Sequence, residues 1–309
     1  MKKLPLAILI FLVVTLSLSL LVQQSHAQTD SSSSPVQVQV GVYIIDVQSI
    51  NLANSNYQLD FYLWFNFDPN QINASQVAQF EFNNGAPTIK QIDSSPGYLE
   101  YRVTGTFIKT FDFTDYPFES HTLFIDLEHQ NLDNTQLVYT ADPTSYIEPA
   151  AGLSGWNTGN ITYTILTHSY GDQAFSRPQF SVTLSRPLIS GVIKSVLPIS
   201  IITGISLLAF ALAAEDYSQK MALGITTLLS ATAFHLSLIS GIPPTGYLTL
   251  ADRMMIGVYI LFLYNIGSAV YMMTLARKNK KEAATAFNRR SRMGLPIIVA
   301  AVIAMIALI

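Results

Sequence analysis

Seven polar side chains stand inside one apolar segment of this 309-residue chain: Thr226, Thr227, Ser230, Thr232, His235, Ser237 and Ser240, within MALGITTLLSATAFHLSLISGI, 221–242. Hydroxyls and an imidazole facing hydrocarbon would be poorly satisfied, so the segment needs protein or water around it. At 3.6 residues per turn, Ala222, Thr226, Leu229, Ala233, Leu236 and Ser240 fall on one stripe, and Ser218 extends it by a turn. The chemistry open to such a stripe is solvation, not bond-making. Hydroxyls can replace part of an ion's water shell, and leucines can close a water path by dewetting. The same stripe also suits the inside of a monomeric four-helix bundle, where small residues let backbones approach, and the helical spacing alone leaves both open.

Other chemistries are poorly supported. The chain has no cysteine, which excludes disulfides, thiolate metal ligands and a thiol nucleophile. Beyond His26 its histidines are His121, His129, His168 and His235, with no pair at the spacing of a zinc protease helix. There is no glycine-rich phosphate loop, no Gly-x-Ser-x-Gly turn and no metal-ligand set, so no catalytic residue, cofactor, metal or nucleic-acid partner is expected.

The elements that must position the stripe divide the chain in two. Residues 1–27, with Lys2 and Lys3 before an apolar run and Ser25-His26-Ala27 at its end, read as a cleaved signal peptide. Residues 28–187 carry short runs rich in Val, Ile, Thr, Tyr and Phe, such as VQVQVGVYIIDVQ and YQLDFYLWFNF. Turn stretches such as NLANSN, NNGAP, YGDQ and residues 93–97 separate them. Seven or more strands at this spacing predict an all-β, immunoglobulin-like antiparallel sandwich. Residues 188–309 hold four apolar stretches, 190–214, 221–242, 253–276 and 293–309, each long enough for a transmembrane helix. Between the last two, the linker 277–292 has seven bases against the single acid Glu282. The positive-inside rule makes it cytoplasmic, leaving the sandwich and the C-terminus on the extracellular or periplasmic side of a plasma or inner membrane. The sandwich segment carries sixteen acids and five bases, a net of −11. Several copies around one vestibule would concentrate cations; an acidic surface that only aids solubility is the plainer alternative.

One more stretch stands out, FDFTDYPFESHTLFIDLEH, 111–129, a loop with a Tyr-Pro-Phe-acid cluster just before a strand. Its YPFESHTL resembles the end of the signature loop of the Cys-loop superfamily, the pentameric ligand-gated ion channels, with Leu123 in the half-cystine place as in prokaryotic members. QKMALGITTLLSATAF, 219–234, resembles the pore-lining segment of cation-conducting members. Gly155-Trp156, Arg186, Pro198, the linker PPTGYLTLADRMM, 243–255, and the first two strands, 41–65, follow in the family's order.

The resemblance implies a homopentamer in a lipid bilayer, each subunit giving a ligand-binding sandwich and four helices, with the second helices around the pore. That favours the water path over the monomeric bundle. It places the gate at Leu229 and Leu236, and the selectivity positions at Asp216 and Gln219, the latter where the family usually has glutamate. Coupling between ligand site and gate falls on Asn51, Tyr116, Pro117, Phe118, Glu119, Arg186, Pro244 and Tyr247, with Glu119 and Arg186 as an ion pair. Candidates for the ligand site are Tyr62 and Trp64 on one side and His129, Gln130, Tyr170 and Phe175 on the other. The expected function is a ligand-gated channel for monovalent cations, opened by a small molecule or by protons, with carboxylates and His235 as proton acceptors. A membrane-tethered binding module without conductance is the alternative.

Overall fold

A computed structural model describes residues 34–308. The expected signal peptide lies outside them. The strands follow from alternation. In β2, Asn56–Phe67, the side chains of Phe61, Leu63 and Phe65 are buried while Tyr62, Trp64 and Asn66 take the opposite face. The full set is β1 (Val36–Asn51), β2, β3 (Phe80–Phe82), β4 (Thr88–Ser95), β5 (Tyr98–Ile108), β6 (Ser120–His129), β7 (Leu137–Ala141), β8 (Tyr146–Ile147), β9 (Asn157–Tyr170) and β10 (Gln173–Ser185). A single short helix, α1 (Ala74–Val77), interrupts them, opened by a capping box of Asn73 and Gln76.

Two sheets face each other. One has the order β4-β5-β2-β1-β7, with β8 also pairing β1; the other is β3-β6-β10-β9. Val38, Val40, Phe61, Phe65, Ile125, Leu127, Val182 and Leu184 fill the space between them. Each such side chain contributes about 1.5–3 kcal/mol by leaving water. The same core continues downward through Phe111, Phe113 and Tyr116 to Ala251 at the start of a membrane helix, with Leu238 and Ile242 packed against it.

The sandwich departs from the antiparallel expectation in one respect: β1 pairs β7 and β8 in parallel. Strand β4 had no signal in the sequence because every residue of TIKQIDSS is exposed at a sheet edge, so no buried face imposes alternation.

Four helices follow. They are α2 (Leu188–Ala211), α3 (Tyr217–Ile239), α4 (Leu250–Arg277) and α5 (Lys281–Leu308). The first three elements, taking α3 with its preceding turn from Ala214, are long and apolar enough to cross a membrane. In α2 the backbone is a π-helix over Val192–Val196 and a 3-10 helix over Ala209–Ala211. The linker expected over 277–292 is mostly helix. The break is confined to the few residues around Asn279, which has a left-handed φ of 54°, and α5 already begins at Lys281. Hydropathy marked only where the apolar run starts, whereas KEAATAFNRRSR is rich in good helix formers and packs Ala284 and Phe287 beside Met272. Likewise α4 starts at Leu250, ahead of the apolar run, because Thr249 and Asp252 form a capping box.

Candidate functional site

The loop before β6 is built around a cis Tyr116-Pro117 bond and tied to the helices at several points. Tyr116 donates its hydroxyl to the Leu238 carbonyl at the end of α3, 2.7 Å. Main-chain amides of Leu250 and Ala251 donate to the carbonyls of Thr114 and Tyr116, at 2.8 and 2.9 Å. These are amides at the start of α4 that have no partner within the helix. Arg253 adds a bond to the Thr114 carbonyl, 3.1 Å. From the linker, the Tyr247 hydroxyl accepts from the Phe113 amide, 2.9 Å, and donates to Asp112, 3.2 Å. Asp112 also receives the amide and hydroxyl of Thr114, which hold its carboxyl below the usual range.

Phe118 reaches the first membrane helix. Its ring lies against Gly191, where an added Cβ would meet the ring edge at 2.7 Å, so only glycine admits this approach. Glu119, 1% exposed, accepts from Arg186 Nε at 3.0 Å, and the guanidinium lies over the Trp156 ring at 4.2 Å. Beside it His121 is buried among Phe111, Phe113 and Trp156. Burial first, then the charges of Lys109 and Arg186, push its pKa down to about 4.

Tyr116, Pro117, Phe118, Glu119, Arg186 and Tyr247 are therefore brought to one junction. Pro244 lies in the linker beside Tyr247, lining a cleft with Ile242 and Asp252. Asn51 is not drawn in by hydrogen bonds: its side chain accepts the Asn54 amide within its own turn. Sequence reasoning placed Asp112 in this loop but passed over Gly191 and the enclosure of His121, which come from packing that no spacing announces. His235 was named from the sequence, but its partners were not: it joins α3 to α4, with Nδ1 at 3.0 Å from the Tyr259 hydroxyl and Nε2 at 3.0 Å from Asp252. The Thr-x-x-Asp signature of the capping box was the available clue to Asp252.

On α3 the stripe is continuous. Ser218, Ala222, Thr226, Leu229, Ala233, Leu236 and Ser240 are all exposed on the single chain, Leu229 at 71% and Leu236 at 62%. The opposite face, Lys220, Gly224, Thr227 and Ala231, is buried. Gly224 allows Ile266 of α4 to approach, and Lys220 donates to Asn288 of α5 at 2.7 Å. Thr227, Ser230 and Thr232 bond carbonyls of their own helix. Gln219 is exposed at the start of α3, while Asp216 is half-buried in the turn before it.

The aromatic candidates divide between the sheets. Tyr62 stacks with Tyr43 at 6.2 Å, and Trp64 donates to Asp142 at 2.9 Å while covering Gly41. On the other sheet, Tyr170 and the buried Phe175 meet edge to face at 5.8 Å, at the β9–β10 hairpin. The Tyr170 hydroxyl lies between Glu128, 3.1 Å, and Arg177, 2.9 Å. His129 is committed internally: Nδ1 accepts the amides of Asn131 and Leu132, so its proton sits on Nε2, which faces the Gln76 carbonyl. Gln130 is exposed and tethered weakly to the Phe80 carbonyl. Within one chain these six residues form no single pocket among the described residues.

The base of the sandwich is thus joined to the helical region by the Pro117 loop, a buried ion pair and a linker. Residues 195–294 match the family model of the neurotransmitter-gated ion-channel transmembrane region. Over these residues the chain is similar to the membrane region of ligand-gated ion channels, and two such channels resemble it over longer stretches. Its relatives include the proton-gated ion channel of Gloeobacter violaceus, 24% identical over 209 residues, which are 67% of this chain and 57% of that one. Another is the acetylcholine receptor subunit alpha-type acr-7 of Caenorhabditis elegans, 29% identical over 142 residues, 43% of this chain and 26% of that subunit. The chain thus spans less than two thirds of the length of both relatives.

Proposed function

We propose that this chain is the subunit of a homopentameric ligand-gated channel that conducts monovalent cations. Five α3 helices line the pore, Leu229 and Leu236 form its gate, and the loop around Pro117 with Glu119, Arg186, Pro244 and Tyr247 transmits the signal from the sandwich. The observation that carries this reading is the exposed stripe on α3. A face holding Leu229 and Leu236 beside Thr226 and Ser240, with no cover from the described residues of its own chain, suits five copies closing around water better than lipid. Thr226 and Ser240 offer hydroxyls to a partly dehydrated ion. The net charge of −11 on residues 28–187 supports cations, with Asp216 and Gln219 at the inner mouth. The sandwich and the C-terminus face outward and the connector around Asn279 faces the cytoplasm.

The agonist is a small molecule or a proton. Tyr62 and Trp64 of one subunit, opposite Tyr170 and Phe175 of the next, would offer aromatic faces to an organic cation. Proton gating has its own support in His235, whose two ring nitrogens both touch polar groups of α4. The deciding experiment is voltage-clamp current from cells expressing the full chain, stepped from neutral to acidic pH and then perfused with small amines, beside Leu229→Ser. Leu229→Ser is expected to give leak current or easier opening. A surface-expressed Leu229→Ser channel that conducts no more than wild type refutes the gate assignment, and silence of both with pentamers at the surface leaves a tethered binding module.

A further inference from the structure

Beneath the Pro117 loop, where α2 enters the helical region and α3 leaves it, lies a cleft of about 320 Å³. Arg186, Ser190, Lys194 and Ser195 line one side; Ser237 and Ser240 line the other. Its charge is one-sided. Among the described residues, Arg186 and Lys194 are the only ionisable groups in its lining apart from the Tyr116 hydroxyl, which donates to the Leu238 carbonyl. Arg186 spends only Nε on Glu119, and its plane rests on Trp156. Its two terminal nitrogens have no protein partner among the described residues, although the side chain is a third exposed. Lys194 forms no ion pair among the described residues and stands within α2 on its π-helical turn. A lysine inside a membrane helix is costly to place unless something nearby answers its charge. Ser195 is more than nine-tenths buried, lines the same cleft and has no hydrogen-bond partner among the described residues. The first turn of α2 follows its N-cap Pro187, on the cleft wall, and its amides, from Leu188 on, add a partial positive charge there.

We infer that this cleft binds a phosphate-bearing anion, with Lys194 and the free end of the Arg186 guanidinium as its charged ligands and Ser195 as a hydroxyl donor. A guanidinium with two uncommitted donors matches phosphate oxygens in geometry, and a lysine supplies the second charge. The phosphate can belong to the headgroup of an anionic phospholipid, reached from the bilayer beside α2, or to a soluble phosphate. An occupant would neutralise charge next to Glu119 and Arg186, so it would bias the junction that joins sandwich to helices. The inference goes beyond the channel reading and does not depend on whether the chain conducts.

The test uses the full chain purified in detergent, with bound equivalents counted by native mass spectrometry during titration with palmitoyl-oleoyl-phosphatidylglycerol and, separately, with inorganic phosphate. Wild type is compared with Lys194→Gln, Ser195→Ala and Lys278→Gln, the last a cation at the opposite end of the helices. At least tenfold weaker binding in Lys194→Gln, weaker binding in Ser195→Ala and none of this in Lys278→Gln is the expected result. Dependence on Lys194 for phosphatidylglycerol alone assigns the cleft to lipid; the same dependence for inorganic phosphate assigns it to the group itself. Equal binding by wild type and Lys194→Gln, or an equal loss in Lys278→Gln, overturns the site. If Lys194→Gln fails to fold, Ser195→Ala decides, and unchanged binding there overturns it as well.

Discussion

The Glu119–Arg186 pair is asymmetric, and the asymmetry can be measured. Glu119 is 1% exposed, whereas the Arg186 side chain is 34% exposed and rests on Trp156. Arg186→Gln strands a carboxylate in the interior with no counter-charge, one oxygen of which already has no hydrogen-bond partner. Stranding a buried charge costs about 3–5 kcal/mol. Glu119→Gln leaves a cation that can turn to water and keeps the aromatic face beneath it, so the cost falls to about 1 kcal/mol. For a folding unit of about 150 residues each kcal/mol moves the melting temperature by about 2–4 °C. Arg186→Gln should therefore lower it by about 6–20 °C, Glu119→Gln by a few degrees, and the double variant should recover most of the loss. Thermal unfolding of the full chain, followed by tryptophan fluorescence, reads this at the site, since Trp156 lies under the guanidinium. If Arg186→Gln melts no lower than Glu119→Gln, or the double variant is no better than Arg186→Gln, the burial argument is wrong.

Other expectations follow from the same geometry. Gln219→Glu should shift the reversal potential in a salt gradient toward stronger cation preference; no shift would move the selectivity ring to Asp216. Gly191→Ala should force the Phe118 ring off α2, because the new Cβ would meet it at 2.7 Å. The expected result is a right-shifted agonist response with near-normal surface expression, and an unchanged response would sever Phe118 from coupling. His121 folds as a neutral base with a pKa near 4, against 6.5 for the unperturbed group, so the unfolded chain binds the extra proton between those values. Stability should be fully present above pH 6.5 and fall as pH drops toward 4, by at most about 3 kcal/mol from this residue. His121→Phe should flatten that part of a melting-temperature profile against pH, and an identical slope in the variant would refute the assignment.

The class of fold was legible because its signals are periodic: two-residue alternation in β2 and β6, long apolar runs in α2 to α4, and a 3-4 stripe on α3. What escaped has a physical reason in each case. Strand β4 is exposed on both faces, so burial left no pattern in it. The start of α5 lies in a charged segment whose helical propensity hydropathy does not register. At the junction, the Tyr-Pro-Phe-Glu cluster and Arg186 stood out as residue types. The seat for Phe118 on Gly191, and the aromatic enclosure of His121, are contacts between segments that sequence order keeps far apart. The aromatic ligand candidates have no discriminating signal in the sequence, because a sandwich core uses the same side chains that a ligand cage would; His129 bonds the main chain around it.

The two amide bonds from Leu250 and Ala251 into the Pro117 loop have a mechanical meaning. They splice loop and α4 into one lever, since neither can shift along the other without stranding main-chain groups, those of Tyr116 and Ala251 in a buried seam. The fulcrum then has to lie elsewhere. Backbone compliance is greatest where the regular ladder is already interrupted, and in the helical region that is the π-helical turn Val192–Val196 of α2, with the 3-10 turn Ala209–Ala211 at its far end. A push from the sandwich would thus carry α4 as a rod and spend its bending in α2, beside the cleft that holds Lys194.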